Sequence, residues 1–274
     1  MTTTIEQSLG KRATELLGFK TPRIAKEDLH LPGPDFVDRL FTGTDRNNRV
    51  LGSLCGYRGR YLRGVQAGGE VSDRIDRARD LWTGGPLRFL ALGPLTNLAA
   101  VLDRGAVSEA VLVGGNLTSR GRFPPWWPHE FNLTKDPQAT RAVFASDLPL
   151  TVVPLDVARR LRIGPREMSG LPGELGVFLR RHSARWARRS LLIRGSRRFP
   201  VFDLAAAAYA IDPALVTVEE TRARLHRNLW VEFGRGERRL RVVRDLAPAG
   251  VWRLFADLVS GRPAGDAALP RPLP

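Results

Sequence analysis

Apolar strands alternate with helices through the middle of the chain, and this alternation limits the fold more than any other feature. LRFLALGPLTNLAAVLDRG reads as a buried strand at residues 88–92, a Gly93-Pro94 turn and a helix. EAVLVGGN is a second apolar strand, DPQATRAVFAS is a helix capped by Asp136, and LPLTVVPLD is a third strand. This order predicts an α/β fold with a Rossmann-like, open, mostly parallel sheet and helices on both faces.

Two polar segments follow strand ends in this pattern. LGPLTN follows the first strand, and the loop that carries HEFN follows the second. In open parallel sheets, ligands bind beyond the carboxyl ends of the strands, on the connecting loops. We therefore expect both segments to lie on one rim of the sheet.

The sequence before this core divides into a helix and long loops. Apolar residues recur at helical spacing in the first helix, at Ile5, Leu9, Ala13 and Leu16. Residues 20–70 have little periodicity and predict long loops with short elements, and a helix is expected near residues 72–82.

The sequence after the core predicts three further elements. A helix begins at Asp203, LWVEFGRGERRLRVV has the pattern of a hairpin around Gly234-Arg235-Gly236, and APAGVWRLFADLVSG forms a closing amphipathic helix. No Ser/Gly-rich linker divides the chain. The prediction is therefore one domain over residues 1–263, with a flexible tail at residues 264–274.

Composition indicates a cellular location. Cys55 is the only cysteine, which excludes an intrachain disulfide and favours a reducing compartment. The sequence has neither a secretory leader pattern nor an apolar run long enough to span a bilayer. These features predict a cytoplasmic protein with no membrane partner.

The net charge of +15 raises the possibility of a nucleic-acid partner. The cations are nearly all arginine, a bias that a GC-rich genome also produces. The densest stretch, LRRHSARWARRSLLIRGSRR at residues 179–198, has no zinc-finger, RNP-type or heptad pattern. A solvated basic helix face is therefore favoured over a nucleic-acid site.

An ordered series of motifs resembles the inosine-uridine-preferring nucleoside hydrolase family. The series is ALGPLTNLA, VGG, EFNLTKDPQA, PLTVVPLDV and FDLAAAAYAIDPALV, and it extends across most of the chain. The resemblance implies hydrolysis of the N-glycosidic bond of a ribonucleoside to ribose and a free base, within purine or pyrimidine salvage. It also implies a calcium ion, which needs oxygen ligands and lowers the pKa of bound water.

The resemblance also assigns residues. Asp203 and the backbone carbonyl of Thr96 match metal ligands, and Glu130 and Asn132 match the pair that grips the ribose. Trp126 and Trp127 could stack on a base, and His129 is a candidate acid for the leaving group. Each assignment has a structural alternative: a helix cap for Asp203, a turn for Thr96, loop polarity for Glu130 and Asn132, and proline packing for the tryptophans. Asp156, at the end of a strand, is expected to cap the segment that follows.

Departures from the family leave two interpretations open. The family's aspartate cluster of the type DxDxGxDD has no counterpart, and residues 1–17 match the helix that follows it. Phe202 stands where a histidine is usual, and proline near Pro124 stands where an asparagine is usual. Either the start is assigned late, or the chain is a degenerate homologue that acts as an inactive binding or interaction module. An incomplete sheet would favour a homodimer or homotetramer.

Overall fold

A computed structural model describes residues 39–41, 61–63, 87–102, 105, 107–118 and 131–260. The predicted first helix, the predicted helix near residues 72–82, Cys55 and the predicted tail lie outside the described residues. Two short strands, β1 (Arg39–Phe41) and β2 (Tyr61–Arg63), pair in parallel with each other.

A six-stranded sheet forms the centre of the described structure. Its strands are β3 (Leu87–Ala91), β4 (Val107–Val113), β5 (Leu150–Val153), β8 (Val216–Leu225), β9 (Val231–Phe233) and β10 (Arg238–Leu246). The spatial order is β3-β4-β5-β10-β8-β9. The first four strands in this order are parallel, with Val111 opposite Thr151 and Thr151 opposite Arg241. The mostly parallel sheet is as predicted.

The pairing around Gly236 corrects the predicted hairpin. Strands β9 and β10 do not pair with each other, because β8 lies between them and pairs antiparallel with both. The connection passes so close to β8 that a Cβ on Gly236 would lie 2.5 Å from the carbonyl oxygen of Ala223. Gly236 also has a φ of +96°, a conformation that L side chains rarely adopt. Glycine at this position therefore marks a crossing over β8.

Three of the described helices cover one face of the sheet. They are α1 (Thr96–Ala99), α2 (Phe131–Thr134) and α3 (Pro137–Ala145). Leu98 and Val143 from these helices are fully buried against Leu112 and Val152 of the sheet. Apolar residues at alternate strand positions point to this face, and the intervening ones point to the other.

The opposite face is covered by α4 (Leu155–Ala158), α7 (Phe202–Ile211) and α8 (Pro248–Val259). Val111, Val113 and Val243 of the sheet are buried there with Ala206 and Val251 of the helices. A 3₁₀ helix at Pro213–Leu215 joins α7 to β8. The two covered faces explain why the last four residues of β4 and all four residues of β5 are buried.

A smaller layer is built beside the main sheet. It contains β6 (Arg162–Ile163), α5 (Pro165–Ser169), α6 (Gly173–Arg194) and β7 (Phe199–Pro200), and β6 pairs antiparallel with β7. Ile163, Met168 and Leu171 form its buried centre against α8. The described residues contain no helix with the length and apolarity needed to cross a membrane.

Candidate functional site

The candidate site lies where β3, β4 and β5 end. Thr96 follows β3, Asn116 follows β4, and Asp156 follows β5. Parallel strands bring their carboxyl ends to one edge of a sheet, so these three polar residues are near the same rim. Helix α7, which carries Asp203, packs against β3 and β4.

Thr96 is connected to the start of α3. Its hydroxyl donates a buried hydrogen bond of 2.7 Å to Oδ2 of Asp136. The other carboxylate oxygen of Asp136 accepts from the Ala139 amide at 3.1 Å, so Asp136 caps α3 as predicted. The Thr96 carbonyl, the group assigned to the metal, accepts a helical hydrogen bond of 3.1 Å from the Ala100 amide.

Asn132 belongs to α2, and its side chain reaches the end of β4. Its Nδ2 donates a hydrogen bond of 2.9 Å to the carbonyl of Val113, the last residue of that strand. This bond brings Asn132 to the rim and fixes the orientation of its amide. The structure therefore places both Thr96 and Asn132 on the rim that the sequence predicted.

A tight turn follows β4, and it contains a residue that sequence reasoning missed. Gly115 has a φ of +70°, which glycine adopts readily, and its carbonyl accepts from the Leu155 amide at 2.9 Å. Asn116 follows with only 3% of its surface exposed. Its Oδ1 has no hydrogen-bond partner among the described residues. The GGN pattern marks the turn, but the orphaned oxygen is visible only in three dimensions.

Asp156 has a different role from the predicted cap. It lies in the first turn of α4, where Pro154 is the cap residue. Its carboxylate accepts from the amides of Leu117 and Thr118 at 3.0 Å and from the Thr118 hydroxyl at 2.8 Å. Asp156 therefore holds the loop after β4 in place.

Asp203 is the second residue of α7, whose cap residue is Val201. No side-chain cap bond is present, so the alternative role of Asp203 as a helix cap is wrong. The residue has an exposed surface, yet the protein packed around the carboxylate desolvates it. This burial raises the pKa of Asp203 to about 6. The carboxyl is mostly ionised at pH 7 and takes up a proton in mild acid.

The other candidate residues, Trp126, Trp127, His129 and Glu130, lie outside the described residues. A shallow, open cleft of about 730 Å³ is lined by residues of α5 and the first turns of α6, and its lining contains none of the candidate residues.

The described residues do not by themselves fit a calcium ion. Among them, no three His, Cys, Asp or Glu side chains come together in a way that could hold a metal. Asp203 and the Thr96 carbonyl provide too few of the six to eight oxygens that calcium requires.

Comparison with known proteins identifies the family. The sequence model of the inosine-uridine preferring nucleoside hydrolases matches residues 66–253, which is more than half of the chain. The chain belongs to this family. The matched range includes the described candidate residues from Thr96 to Asp203, and it agrees with the order of motifs in the sequence.

Similar proteins with curated names agree with this family assignment. A non-specific ribonucleoside hydrolase (RihC) of Salmonella paratyphi B is 33% identical over 139 residues, 49% of this chain and 44% of that protein. The same values hold for the protein of Salmonella newport. The match thus spans less than half the length of these curated relatives. Their names give no support to an inactive binding module.

Solved structures show the same fold. A purine-preferring ribonucleoside hydrolase from Gardnerella vaginalis superposes with a TM-score of 0.67 at 21% identity, covering 79% of this chain and 84% of that chain. A plant nucleoside hydrolase gives a TM-score of 0.66 at 18% identity, covering 78% and 85%. At this identity the likeness concerns the fold.

Proposed function

We propose that the protein hydrolyses the N-glycosidic bond of a ribonucleoside. Water adds to the anomeric carbon, the bond to the base nitrogen breaks, and the products are ribose and the free, protonated base. The observation that carries the proposal is the anchoring of Asn132 to the last carbonyl of β4, within the motif that resembles the family's ribose-gripping segment. A fixed amide at the carboxyl end of a strand is suited to orienting a sugar hydroxyl.

Substrate binding in this proposal uses the segment before α3. Glu130 and Asn132 hold hydroxyls of the ribose, and Trp126 and Trp127 stack on the base. His129 donates a proton to the departing base, because an ordinary imidazole titrates near neutral pH.

His129 acts on the departing base, and Asp203 is the proposed anionic group that acts on the attacking water. An oxocarbenium-like transition state needs a nucleophile with the character of hydroxide. A carboxyl with a pKa of about 6 is largely ionised at pH 7 and still basic enough to attract a proton from water. That property supports a role for Asp203 as the acceptor of this proton.

Calcium is part of the proposal on the strength of the family resemblance alone. The Asp203 carboxylate and the Thr96 carbonyl are its proposed ligands among the described residues, and further oxygens would have to come from elsewhere. When bound, such an ion would lower the pKa of a coordinated water.

We also propose a homodimer or homotetramer in the cytoplasm. Leu90 on β3, at one end of the described sheet, has 36% of its surface exposed and could contribute to a contact between copies. Light scattering tests the assembly: a mass close to 30.4 kDa would contradict it.

Release of reducing sugar from purine and pyrimidine ribonucleosides tests the proposed activity. The wild type is compared with Asp203→Asn and with Asp147→Asn, which removes the same charge at an exposed loop position. We expect release that Asp203→Asn reduces at least about 100-fold and Asp147→Asn leaves unchanged. Parallel assays with added calcium and with chelator test the metal. No release by a folded wild-type protein would overturn the proposed reaction.

A further inference from the structure

Helix α6 presents a basic face that the proposed hydrolysis does not use. Gly176, Ala187 and Ser190 are buried on the inner side of this 22-residue helix. The outer side carries four exposed arginines, Arg181, Arg185, Arg188 and Arg189. Glu174 is the only acidic residue of the helix.

Several arginines elsewhere in the described residues have carboxylate partners. Arg160 pairs with Asp245 at 2.7 Å, and Arg244 pairs with Glu219 at 2.7 Å. By contrast, Arg181, Arg188 and Arg189 form no ion pair with a carboxylate in the part of the chain that the structure describes. Their charges are therefore available to an external anion.

Cations gather at the carboxyl end of α6. Burial lowers the pKa of Arg194, and the charges of Arg162, Arg159 and Arg189 lower it further. Arg162 belongs to β6, and Arg159 follows α4. The positive surface thus continues from the helix onto two neighbouring elements, where the cations repel one another unless an anion is present.

Large apolar side chains lie among the exposed arginines. Trp186 is 59% exposed and Leu192 is 67% exposed. The guanidinium of Arg189 lies over the Trp186 ring at 5.6 Å from its centroid, which holds an aromatic plane and a cation side by side. Proteins that bind single-stranded nucleic acids use exposed aromatic side chains next to cations, because the bases stack on the aromatic rings and the phosphates pair with the cations.

We propose that the outer face of α6, extended by Arg162 and Arg194, binds single-stranded nucleic acid through phosphate pairing and base stacking on Trp186. A membrane surface fits less well, because an interfacial helix separates its apolar face from its charged face, whereas α6 mixes them on one side and buries the other in the protein. A second copy of the chain fits less well, because two such faces would place like charges against each other.

Anisotropy of a fluorescein-labelled single-stranded oligouridylate, titrated at salt from about 50 to about 200 mM, tests the proposal. The test variant is Arg181→Gln/Arg188→Gln/Arg189→Gln. The matched control is Arg222→Gln/Arg239→Gln/Arg253→Gln, which removes the same charge from exposed positions on β8, β10 and α8. Circular dichroism verifies that both variants are folded.

The α6 variant should bind at least tenfold more weakly, and its slope of log affinity against log salt should be smaller by about 2, because three phosphate contacts are lost at about 0.7 each. The control should keep the wild-type affinity and slope.

Trp186→Ala should lose about tenfold in affinity, and Trp186→Phe should retain binding. Equal losses in the two triple variants, no binding at low salt, or binding to phosphatidylserine vesicles but not to the oligonucleotide would each overturn the proposal. Sugar release by the α6 variant should match the wild type, so the two proposals fail separately.

Discussion

The hydroxyl of Thr96 donates a buried hydrogen bond to the carboxylate of Asp136, forty residues further along the chain. This bond connects the loop after β3 with the first turn of α3, on the face of the sheet that also holds Asn132. Because the same carboxylate caps α3, one buried side chain fixes two segments of the rim.

Side-chain substitutions at Thr96 test the role of its hydroxyl separately from the role of its backbone carbonyl. Thr96→Val leaves Oδ2 of Asp136 without its buried donor, so we expect unfolding to become easier by about 1–3 kcal/mol. Thr96→Ser keeps the donor and should stay within about 1 kcal/mol of the wild type. Urea denaturation measures both. Equal destabilisation by the two variants would show that the methyl group matters and the hydroxyl does not.

Asn132 can be tested against a neighbouring hydrogen bond. Asn132→Ala removes the bond to Val113, and Thr140→Val removes the 2.7 Å bond from the Thr140 hydroxyl to the carbonyl of Leu133. Both variants should lose about 1 kcal/mol of stability. In assays of sugar release, only Asn132→Ala should raise KM or lower kcat, by about tenfold or more. Similar activity in the two variants would assign Asn132 a purely structural role.

The lowered pKa of Glu109 predicts that the protein loses stability in acid. Burial raises its pKa, but the hydrogen bond of 2.6 Å from Arg241 and the charge and hydrogen bond of Arg88 outweigh burial, so the net pKa is lowered. A carboxyl whose pKa is lower in the folded protein than in the unfolded chain stabilises the fold at pH values above its ordinary pKa of 4.5. This stabilisation is lost as the pH falls through the lowered pKa. Glu109→Gln should therefore cost about 1–2 kcal/mol at pH 7, and progressively less below pH 4.5, with solvent screening of Arg88 limiting the effect.

Chemical denaturation between neutral pH and acid measures this dependence, with Glu237→Gln as an exposed control. A constant difference between Glu109→Gln and wild type at all pH values would contradict the assignment.

Asp203 predicts the opposite dependence on pH. Its pKa is raised from 3.8 to about 6, so the folded protein is favoured by protonation: this contribution is fully present below pH 3.8 and is lost as the pH rises through about 6. Asp203→Asn should therefore raise the Tm at pH 8 and have little effect near pH 3.8. Because solvent reaches the side chain, we expect no more than about 1 kcal/mol. A variant less stable than wild type at pH 8 would show that the carboxylate makes favourable contacts in its ionised form.

Local signals in the sequence predicted the elements that bring the rim together. The Asp136-Pro137 cap and the apolar strands depend on neighbours in the chain, so the residue types are sufficient to locate them. The parallel sheet followed from their alternation, and with it the positions of Thr96 and Asn132.

The features that sequence reasoning missed depend on distant partners. The carboxylate of Asp156 bonds a loop 38 residues earlier in the chain, a contact that no local pattern encodes. The insertion of β8 between β9 and β10 likewise depends on tertiary pairing, and the short distance between the last two strands suggested a simple hairpin instead. Only the burial of Asn116 in three dimensions distinguishes its oxygen from that of any other loop asparagine.

The place of β10 beside β5 has a consequence for biosynthesis. Residues 154–237 separate the two strands in sequence, so the second edge of β5 has no partner until the ribosome has produced this intervening length. At roughly 5–20 residues per second, the wait is on the order of 4–17 seconds. During that time the nascent chain exposes an apolar strand edge, and holdase chaperones that bind such edges should increase the yield of native protein.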